Sequence, residues 1–408
     1  MKAYERFLRY ISYPTMSDAA SGTVPSTEKQ LRLAHALREE LCSMGVRDAR
    51  VDPYGYVYAS IPANTDVPVN AIGLIAHMDT SSEASDTDIK PQIVEYGGGD
   101  VILNQEKNIV MRVCDYPYLS NYVGQHLIVS DGTTLIGADD KAGIAEIMTA
   151  VSKILASDLP HGKLCIAFTP DEEIGRGADH FDIAGFGADY AYTVDGGALG
   201  ELEYENFNAA GAHITIHGVS IHPGSAKNKM KNASLIAFEF NSMLPEDEIP
   251  SKTEGYEGFY HLASMSGETE TAKLYYILRD HDKSKFEEKK QKMVQIAAVL
   301  NQKYGEGTVE LTVSDSYRNM KEKIEEHMYI VERAKRAMEQ TGVEPKIIPV
   351  RGGTDGARLS FMGLPCPNLC TGGENFHSRF EFVSVEAMET ISEILVKMIE
   401  NSVKEGKR

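Results

Sequence analysis

The sequence lacks any apolar run near the roughly 20 residues that a membrane-spanning helix needs. Its first residues, MKAYERFLRYIS, also lack the apolar core and the small-residue cleavage site of a secretory signal. Basic residues are scarce, with 41 Lys and Arg against 60 Asp and Glu and a formal net charge of −19 at pH 7. Because phosphate groups are bound by clustered Lys and Arg, we expect neither nucleic acid nor a membrane as a partner. These absences predict a soluble, cytoplasmic protein.

Cysteine is scarce as well. The five cysteines are odd in number and scattered along the chain, which argues against a disulfide framework. Cys366 and Cys370 are four residues apart, but the sequence has no second pair at a metal-binding spacing. We therefore expect these two to be buried thiols, with metal binding as the less favoured alternative.

The remaining composition is that of an ordinary globular protein, with 42% apolar and 25% charged residues in a chain of 408. At roughly 100–200 residues per domain, this length predicts two or three domains. Up to about residue 206, buried-strand patterns alternate with helical ones. The clearest strands are AIGLIA (71–76), KLCIAF (163–168) and DYAYTV (189–194), and residues 138–155 have helical spacing. Continuous apolar runs are typical of parallel strands covered on both faces, so this part predicts an α/β domain.

The next stretch has a different order of elements. Residues 207–315 give the order strand, helix, strand, strand, helix, strand, which is the signature of a ferredoxin-like α+β domain. After residue 315 the α/β pattern resumes. We therefore predict a discontinuous α/β domain, made of residues 1–206 and 316–408, with a smaller α+β domain inserted at 207–315.

Histidines and carboxylates follow the predicted strands or begin a helix. In an open α/β sheet such strand ends converge on one crevice where ligands bind. The candidates are His77, Asp79, the adjacent pair Asp139 and Asp140, Glu172, Glu173, Asp195 and His377. One residue of the aspartate pair can cap the helix while the other points into the crevice. His77 and Asp79 are two apart, so along a strand they point to one face, where Asp79 can orient a ligand histidine through its second ring nitrogen.

Each candidate alone has an ordinary structural explanation. His77 can pack at a strand end, Asp139 can cap a helix, and His377 can be an exposed loop histidine. Glu172 and Glu173 can belong to a solvated acidic loop. The conjunction favours chemistry, because two histidines with Asp139, Glu173 and Asp195 supply the nitrogen and oxygen ligands that suit two zinc ions sharing one bridging carboxylate.

Seven motifs make the resemblance to a known family specific. They lie in order between residues 75 and 382 and are IAHMDT, DGTTLIGADDKAG, FTPDEEIGRGA, VDGG, HPGSAKNKM, RGGTDGARLS and GGENFHSRFEF. Together they resemble the peptidase T family of tripeptide aminopeptidases, co-catalytic zinc peptidases related to aminoacylase and glutamate carboxypeptidase. The resemblance implies a zinc-peptidase catalytic domain in two parts, with the inserted ferredoxin-like domain as a lid.

The resemblance also implies roles for individual residues. One zinc would be held by His77, Asp139 and Asp195, and the other by Asp139, Glu173 and His377, so that Asp139 bridges the two ions. Asp79 would orient His77, and Glu172 would be the general base that activates water. The sequence does not depart from the family pattern at any of these seven positions.

Further implications concern the substrate and the partner. His222 would approach the scissile carbonyl, and Arg279 and Arg351 are candidates for binding the substrate carboxylate. The substrate would be a tripeptide, and family members often form homodimers through the lid. Cobalt and manganese accept similar ligands, so the sequence leaves the metal open.

Two rival functions remain at this stage. A dipeptidase or an N-acyl amino acid deacetylase would use the same metals. A non-catalytic peptide-binding relative would keep the fold but would have lost the base or a ligand, and neither is missing here.

Overall fold

The structure is a computed structural model, and it describes residues 1–407. The helices are α1 (Ala3–Tyr10), α2 (Lys29–Ser43), α3 (Ala138–Leu155), α4 (Ile183–Phe186), α5 (Ala233–Ser242), α6 (Lys283–Tyr304), α7 (Lys321–Ile324), α8 (Met328–Gln340), α9 (Asp355–Phe361) and α10 (Val385–Glu405). The strands are β1 (Arg50–Val51), β2 (Val57–Ile61), β3 (Ile72–His77), β4 (Gln92–Glu95), β5 (Val101–Asn104), β6 (Ile109–Met111), β7 (His126–Val129), β8 (Leu164–Thr169), β9 (Tyr190–Gly196), β10 (Glu201–Glu203), β11 (Asn208–His217), β12 (Phe259–Gly267), β13 (Thr271–Asp280), β14 (Val309–Tyr317), β15 (Lys346–Ile347), β16 (Asn368–Cys370), β17 (Gly373–Glu374) and β18 (Phe382–Ser384).

The chain forms two compact units. The first contains Met1–Tyr204, Glu322–Ile348 and the residues from Thr354 onwards. The second contains Glu205–Lys321 together with the short segment Pro349–Gly353. The α/β unit is therefore discontinuous in sequence, and the second unit is inserted in it.

The first unit is built on a mixed sheet with the strand order β1-β2-β8-β3-β9-β16-β10-β15. Its centre is parallel, because β3 pairs in parallel with both β8 and β9, and β9 pairs in parallel with β16. Helix α3 packs against β3 and β9, while Ile75 of β3 lies in a cluster with Phe186 of α4 and Leu359 of α9. Helical cover explains why every residue of β3 and β8 is buried, as the continuous apolar runs predict.

A smaller sheet lies in the same unit, with the order β17-β18-β7-β4, and β5 pairs with β6 beside it. An apolar cluster that includes Tyr96, Leu103, Met111 and Phe382 packs these short strands together. The sequence patterns do not predict this sheet.

The second unit is an antiparallel sheet with the order β12-β13-β11-β14. Helices α5 and α6 contribute Phe240 and Met293 to a core that also contains Ile214 of β11 and Leu274 of β13. This order, with a helix after the first and after the third strand, is the predicted ferredoxin-like arrangement. The prediction of an inserted α+β domain is confirmed.

The structure also describes the cysteines and the length and apolarity of the helices. Cys366 and Cys370 are buried thiols outside any disulfide bond, as predicted. Among residues 1–407, none of the helices combines the length and the apolarity that a membrane crossing needs.

Candidate metal centre

The carboxyl ends of the parallel strands carry the predicted side chains. His77 is the last residue of β3, Asp195 lies near the end of β9, and Glu172 and Glu173 form the turn that follows β8. Asp139 is the second residue of α3. The sheet topology thus brings together residues that are far apart in sequence, at the edge where open α/β sheets bind ligands.

The first predicted ligand set is close-packed around His77. Its Nε2 atom lies 2.7 Å from Asp139 Oδ1 and 3.3 Å from Asp195 Oδ1. The second set is gathered around His377, whose Nε2 atom lies 2.8 Å from Glu173 Oε2 and 3.2 Å from Asp139 Oδ2. The two carboxylate oxygens of Asp139 therefore face different histidines, which is the geometry that a bridging ligand requires.

Asp139 and its neighbour do not act as helix caps. The residue that precedes α3 is Gly137, and among the described residues no side-chain hydrogen bond caps this helix. Asp140, which is joined to Asp139 by a cis peptide bond, accepts a hydrogen bond from the His77 backbone N–H at 3.0 Å. One carboxylate oxygen of Asp140 also lies within 4.8 Å of one ligand atom each of His77 and Asp195, so Asp140 is a second candidate beside Asp139.

Asp79 contacts both His77 and the turn that follows β8. Its Oδ1 lies 3.4 Å from His77 Nδ1, and its backbone oxygen lies 3.1 Å from the same nitrogen. Its carboxylate also accepts backbone hydrogen bonds from Glu172, at 3.0 Å, and from Glu173, at 3.2 Å. Asp79 thus fixes the turn that carries Glu172 and Glu173 as well as the ring of His77, and the sequence predicts only the second of these roles.

Burial and like charges dominate the electrostatics. Burial raises the pKa of Glu173 to about 7 and the pKa of Asp195 to about 6. Burial would also raise the pKa of Asp139, but hydrogen bonds with His377 and His77 outweigh it and hold that pKa well below its usual range. Burial, with the charges of Asp195, Asp355 and Glu173 adding to it, raises the pKa of Glu172 well above normal.

The residues fit a pair of divalent cations. Glu173 Oε1 and Asp140 Oδ1 are buried and find no hydrogen-bond partner within residues 1–407. Buried carboxylates without partners are costly, and a nearby cation would offset that cost. Imidazole nitrogen and carboxylate oxygen are donors that zinc accepts. Geometry and donor chemistry therefore agree on a two-metal centre.

The substrate-binding candidates all lie in the second unit. His222 is exposed and accepts a hydrogen bond from the Gly224 backbone at 3.2 Å. The Arg279 guanidinium lies over the Tyr317 ring, 5.0 Å from its centroid. Arg351 Nη1 donates to the backbone oxygens of Gly255, at 2.7 Å, and Glu257, at 3.0 Å, so part of its donor capacity is used within the unit.

The loop that contains His377 is held by hydrogen bonds that the sequence patterns do not predict. Asn375 and His377 have φ values of 59° and 60°, in the left-handed region that non-glycine residues seldom adopt. Tyr118 donates a hydrogen bond to Asn375, and Tyr122 donates one to Glu374 at 2.9 Å. Glu381, four residues after His377, accepts hydrogen bonds from the backbone N–H groups of residues 136, 137 and 139. The sequence contains Tyr118, Tyr122 and Glu381, but no spacing rule connects these residues to a metal ligand.

The fold is that of the M20 peptidases, with a dimerisation domain inserted in it. Residues 204–308 match the family model described as "Peptidase dimerisation domain". A dinuclear metal-binding peptidase of the M20 family from Bacillus subtilis has a similar structure, with a TM-score of 0.68 at 16% identity over 98% of this chain and 97% of that one.

Sequence comparison gives the family. The chain is 58% identical over 401 residues to "Peptidase T" of Halothermothrix orenii, covering 98% of each chain. It therefore belongs to the peptidase T family, which confirms the resemblance of the motifs. The structure of an aminopeptidase PepT from Bacillus cereus shares the fold, with a TM-score of 0.78 at 24% identity over 99% of this chain and 98% of that one.

Proposed function

We propose that this protein is a metallo-aminopeptidase that removes the N-terminal residue from tripeptides at a two-zinc centre, with Glu172 as the general base. The observation that carries the proposal is the division of the Asp139 oxygens between the sets around His77 and His377. The names of the relatives support the substrate class, since they are peptidases T. The cytoplasmic location of the protein remains a prediction from the sequence.

The residues of the first unit would hold the metals. His77, Asp139 and Asp195 would bind one zinc, and Asp139, Glu173 and His377 would bind the other. When bound, a zinc pair polarises the peptide carbonyl and lowers the pKa of water. Cobalt or manganese would suit the same nitrogen and oxygen donors.

Glu172 is assigned to proton transfer because it belongs to neither ligand set. Its carboxylate would take the proton of the attacking water and return it to the nitrogen of the leaving amine. Its backbone N–H donates to Asp79, so the turn that presents the carboxylate is fixed. His222 would donate to the oxyanion that forms on the scissile carbonyl, and Arg279 and Arg351 would bind the free carboxylate of the substrate.

A substrate panel tests the proposed activity. We expect the protein loaded with zinc to release leucine from Leu-Gly-Gly with a kcat/KM at least about tenfold above that for Leu-Gly. An N-acetyl amino acid should be cleaved more slowly still, because it lacks the free amine that an aminopeptidase recognises. The release of amino acid would be measured by chromatography, with enzyme treated with a chelator as the control.

The alternative functions give different outcomes in the same panel. Comparable rates on Leu-Gly and on the N-acetyl amino acid would favour a dipeptidase or a deacetylase. No cleavage of any of the three, with two metals bound, would favour a non-catalytic peptide-binding relative.

We also propose that the second unit forms a homodimer. It matches a peptidase dimerisation domain, and β12 lies at an edge of its sheet. On α5, Leu235 and Phe238 are 65% and 62% exposed, and their spacing of three residues places them on one face of the helix. An exposed apolar patch beside a sheet edge is typical of a surface that pairs with a second copy.

The double substitution of Leu235→Asp with Phe238→Asp should convert the dimer into a monomer of 44.9 kDa. Two buried charges would have to be desolvated in each copy of the interface, which disfavours association. Light scattering coupled to gel filtration gives the mass. Val294→Asp, on α6 and 47% exposed, is the matched control and should leave the dimer intact. A dimeric double variant would contradict the assignment of this face.

A further inference from the structure

Glu381 is a buried carboxylate to which the proposed mechanism gives no role. Only 1% of the residue is exposed, and the carboxylate accepts three backbone hydrogen bonds. Its Oε2 accepts from Ile136, at 3.0 Å, and from Gly137, at 2.7 Å, and its Oε1 accepts from Asp139 at 2.9 Å. One side chain therefore satisfies the backbone N–H groups of the segment that ends at the proposed bridging ligand.

The same residue is tied to His377 at the other end. Asn375 Nδ2 donates to the Phe380 backbone oxygen at 3.0 Å, and the Glu381 N–H donates to the Ser378 oxygen at 3.1 Å. These bonds close residues 375–381 into a compact turn that carries His377. A movement of Glu381 would therefore be transmitted to the histidine.

We propose that Glu381 is a positioning residue that fixes Asp139 and His377 relative to each other for the metal that they share. This inference rests on the proposed two-metal function. The atoms concerned, Asp139 Oδ2 and His377 Nε2, lie 3.2 Å apart on segments more than 230 residues apart in sequence. Within the first unit, the three hydrogen bonds of Glu381 directly connect these segments. Supporting groups of this kind typically change metal affinity by about 10–100-fold when they are removed.

A buried ammonium lies near the carboxyl group of Glu381, whose pKa is raised to about 8 by burial. Lys141 is fully buried two residues after Asp139, and Glu381 and Asp86 are among the acidic groups whose charges act on its ammonium. The Lys141 Nζ atom donates to the Tyr13 backbone oxygen at 2.8 Å. Glutamine at position 381 would keep the shape but would direct an amide N–H at one of the three backbone donors, leaving that donor unpaired.

The test is Glu381→Gln, assayed by titrating metal-free protein with zinc in a calorimeter. We expect one of the two ions to bind about 10–100-fold more weakly than in the wild type, and the other to change less. Glu386→Gln is the matched control, because the Glu386 carboxylate also accepts a backbone hydrogen bond, from His126 at 2.9 Å, but lies outside the ligand segments. The control should bind both ions with wild-type affinity.

A second variant and a second measurement separate positioning from general stability. Glu381→Asp keeps the carboxyl group but shortens the side chain, so it should also weaken the binding of one ion. It replaces the glutamine variant if that variant does not fold. Wild-type affinity for both ions in a folded Glu381 variant, with only a lower Tm, would overturn the inference and leave the two-metal proposal intact. Fewer than two ions in the wild type would overturn both proposals.

Discussion

Glu172→Gln should lower kcat for Leu-Gly-Gly by about 10²–10⁴-fold while both metal ions stay bound. Glutamine has almost the same size as glutamate, but its amide cannot take a proton from water. Glu172 lies outside both ligand sets, so its loss removes no metal ligand. KM should change little, because the proton transfer belongs to the reaction step and not to substrate binding.

The measurement combines steady-state kinetics with metal analysis of the same sample. Asp179→Asn is a suitable control, because Asp179 lies seven residues further on, is exposed, and forms an ion pair with Arg358, which is also outside the ligand sets. It should keep activity close to that of the wild type. Metal loss in Glu172→Gln that parallels the loss of rate would contradict the assignment of Glu172 as the base, and so would an unchanged kcat.

The central strands could be predicted because their residues are apolar on both faces. The run AIGLIA predicts 71–76, and β3 is Ile72–His77, a shift of one residue that makes His77 part of the strand. The start of α3 at Ala138 is predicted correctly from the helical spacing of its apolar residues. A strand that is buried on both faces requires apolar residues at nearly every position, so its sequence pattern directly indicates its place in the sheet.

The small sheet could not be predicted, because its strands are short and its pairings are distant. Strand β4, Gln92–Glu95, alternates between half-buried and exposed residues, and β17 has two residues. The run KIIPV (346–350) would suggest a strand of five residues, but β15 ends at Ile347. Pro349 has no N–H for a sheet ladder, and Pro349–Gly353 belongs to the second unit.

The site shows a similar division. His77, Asp139, Glu173, Asp195 and His377 follow strands or begin a helix, so the pattern alone could bring them to one edge. The carboxyl groups of Glu381 and Asp79, in contrast, accept hydrogen bonds from backbone N–H groups. Every residue except proline has such a group, so no side-chain pattern in the sequence indicates which carboxylate accepts from it.

Asp139→Asn should have the second large effect, a loss of both metal affinity and turnover. The Oδ1 and Oδ2 atoms of Asp139 face His77 and His377, and an amide nitrogen in place of either oxygen cannot bind a cation. The negative charge of Asp139 would also offset the repulsion between the two cations, and asparagine lacks that charge. Because metal activation supplies several kcal/mol and each 1.36 kcal/mol is tenfold in rate, kcat/KM should fall by about 10³-fold or more.

Asp140→Asn makes this prediction specific. Asp140 is the competing candidate, since its carboxylate also lies close to His77 and Asp195, but its Oδ2 accepts the His77 backbone N–H, a bond that an asparagine oxygen can keep. If Asp139 is the bridge, zinc titration should show two ions in Asp140→Asn and weakened binding of both in Asp139→Asn. The opposite result would assign the bridge to Asp140. Equal losses in both variants would mean that the aspartate pair acts as one unit, and the separate role of Asp139 would be wrong.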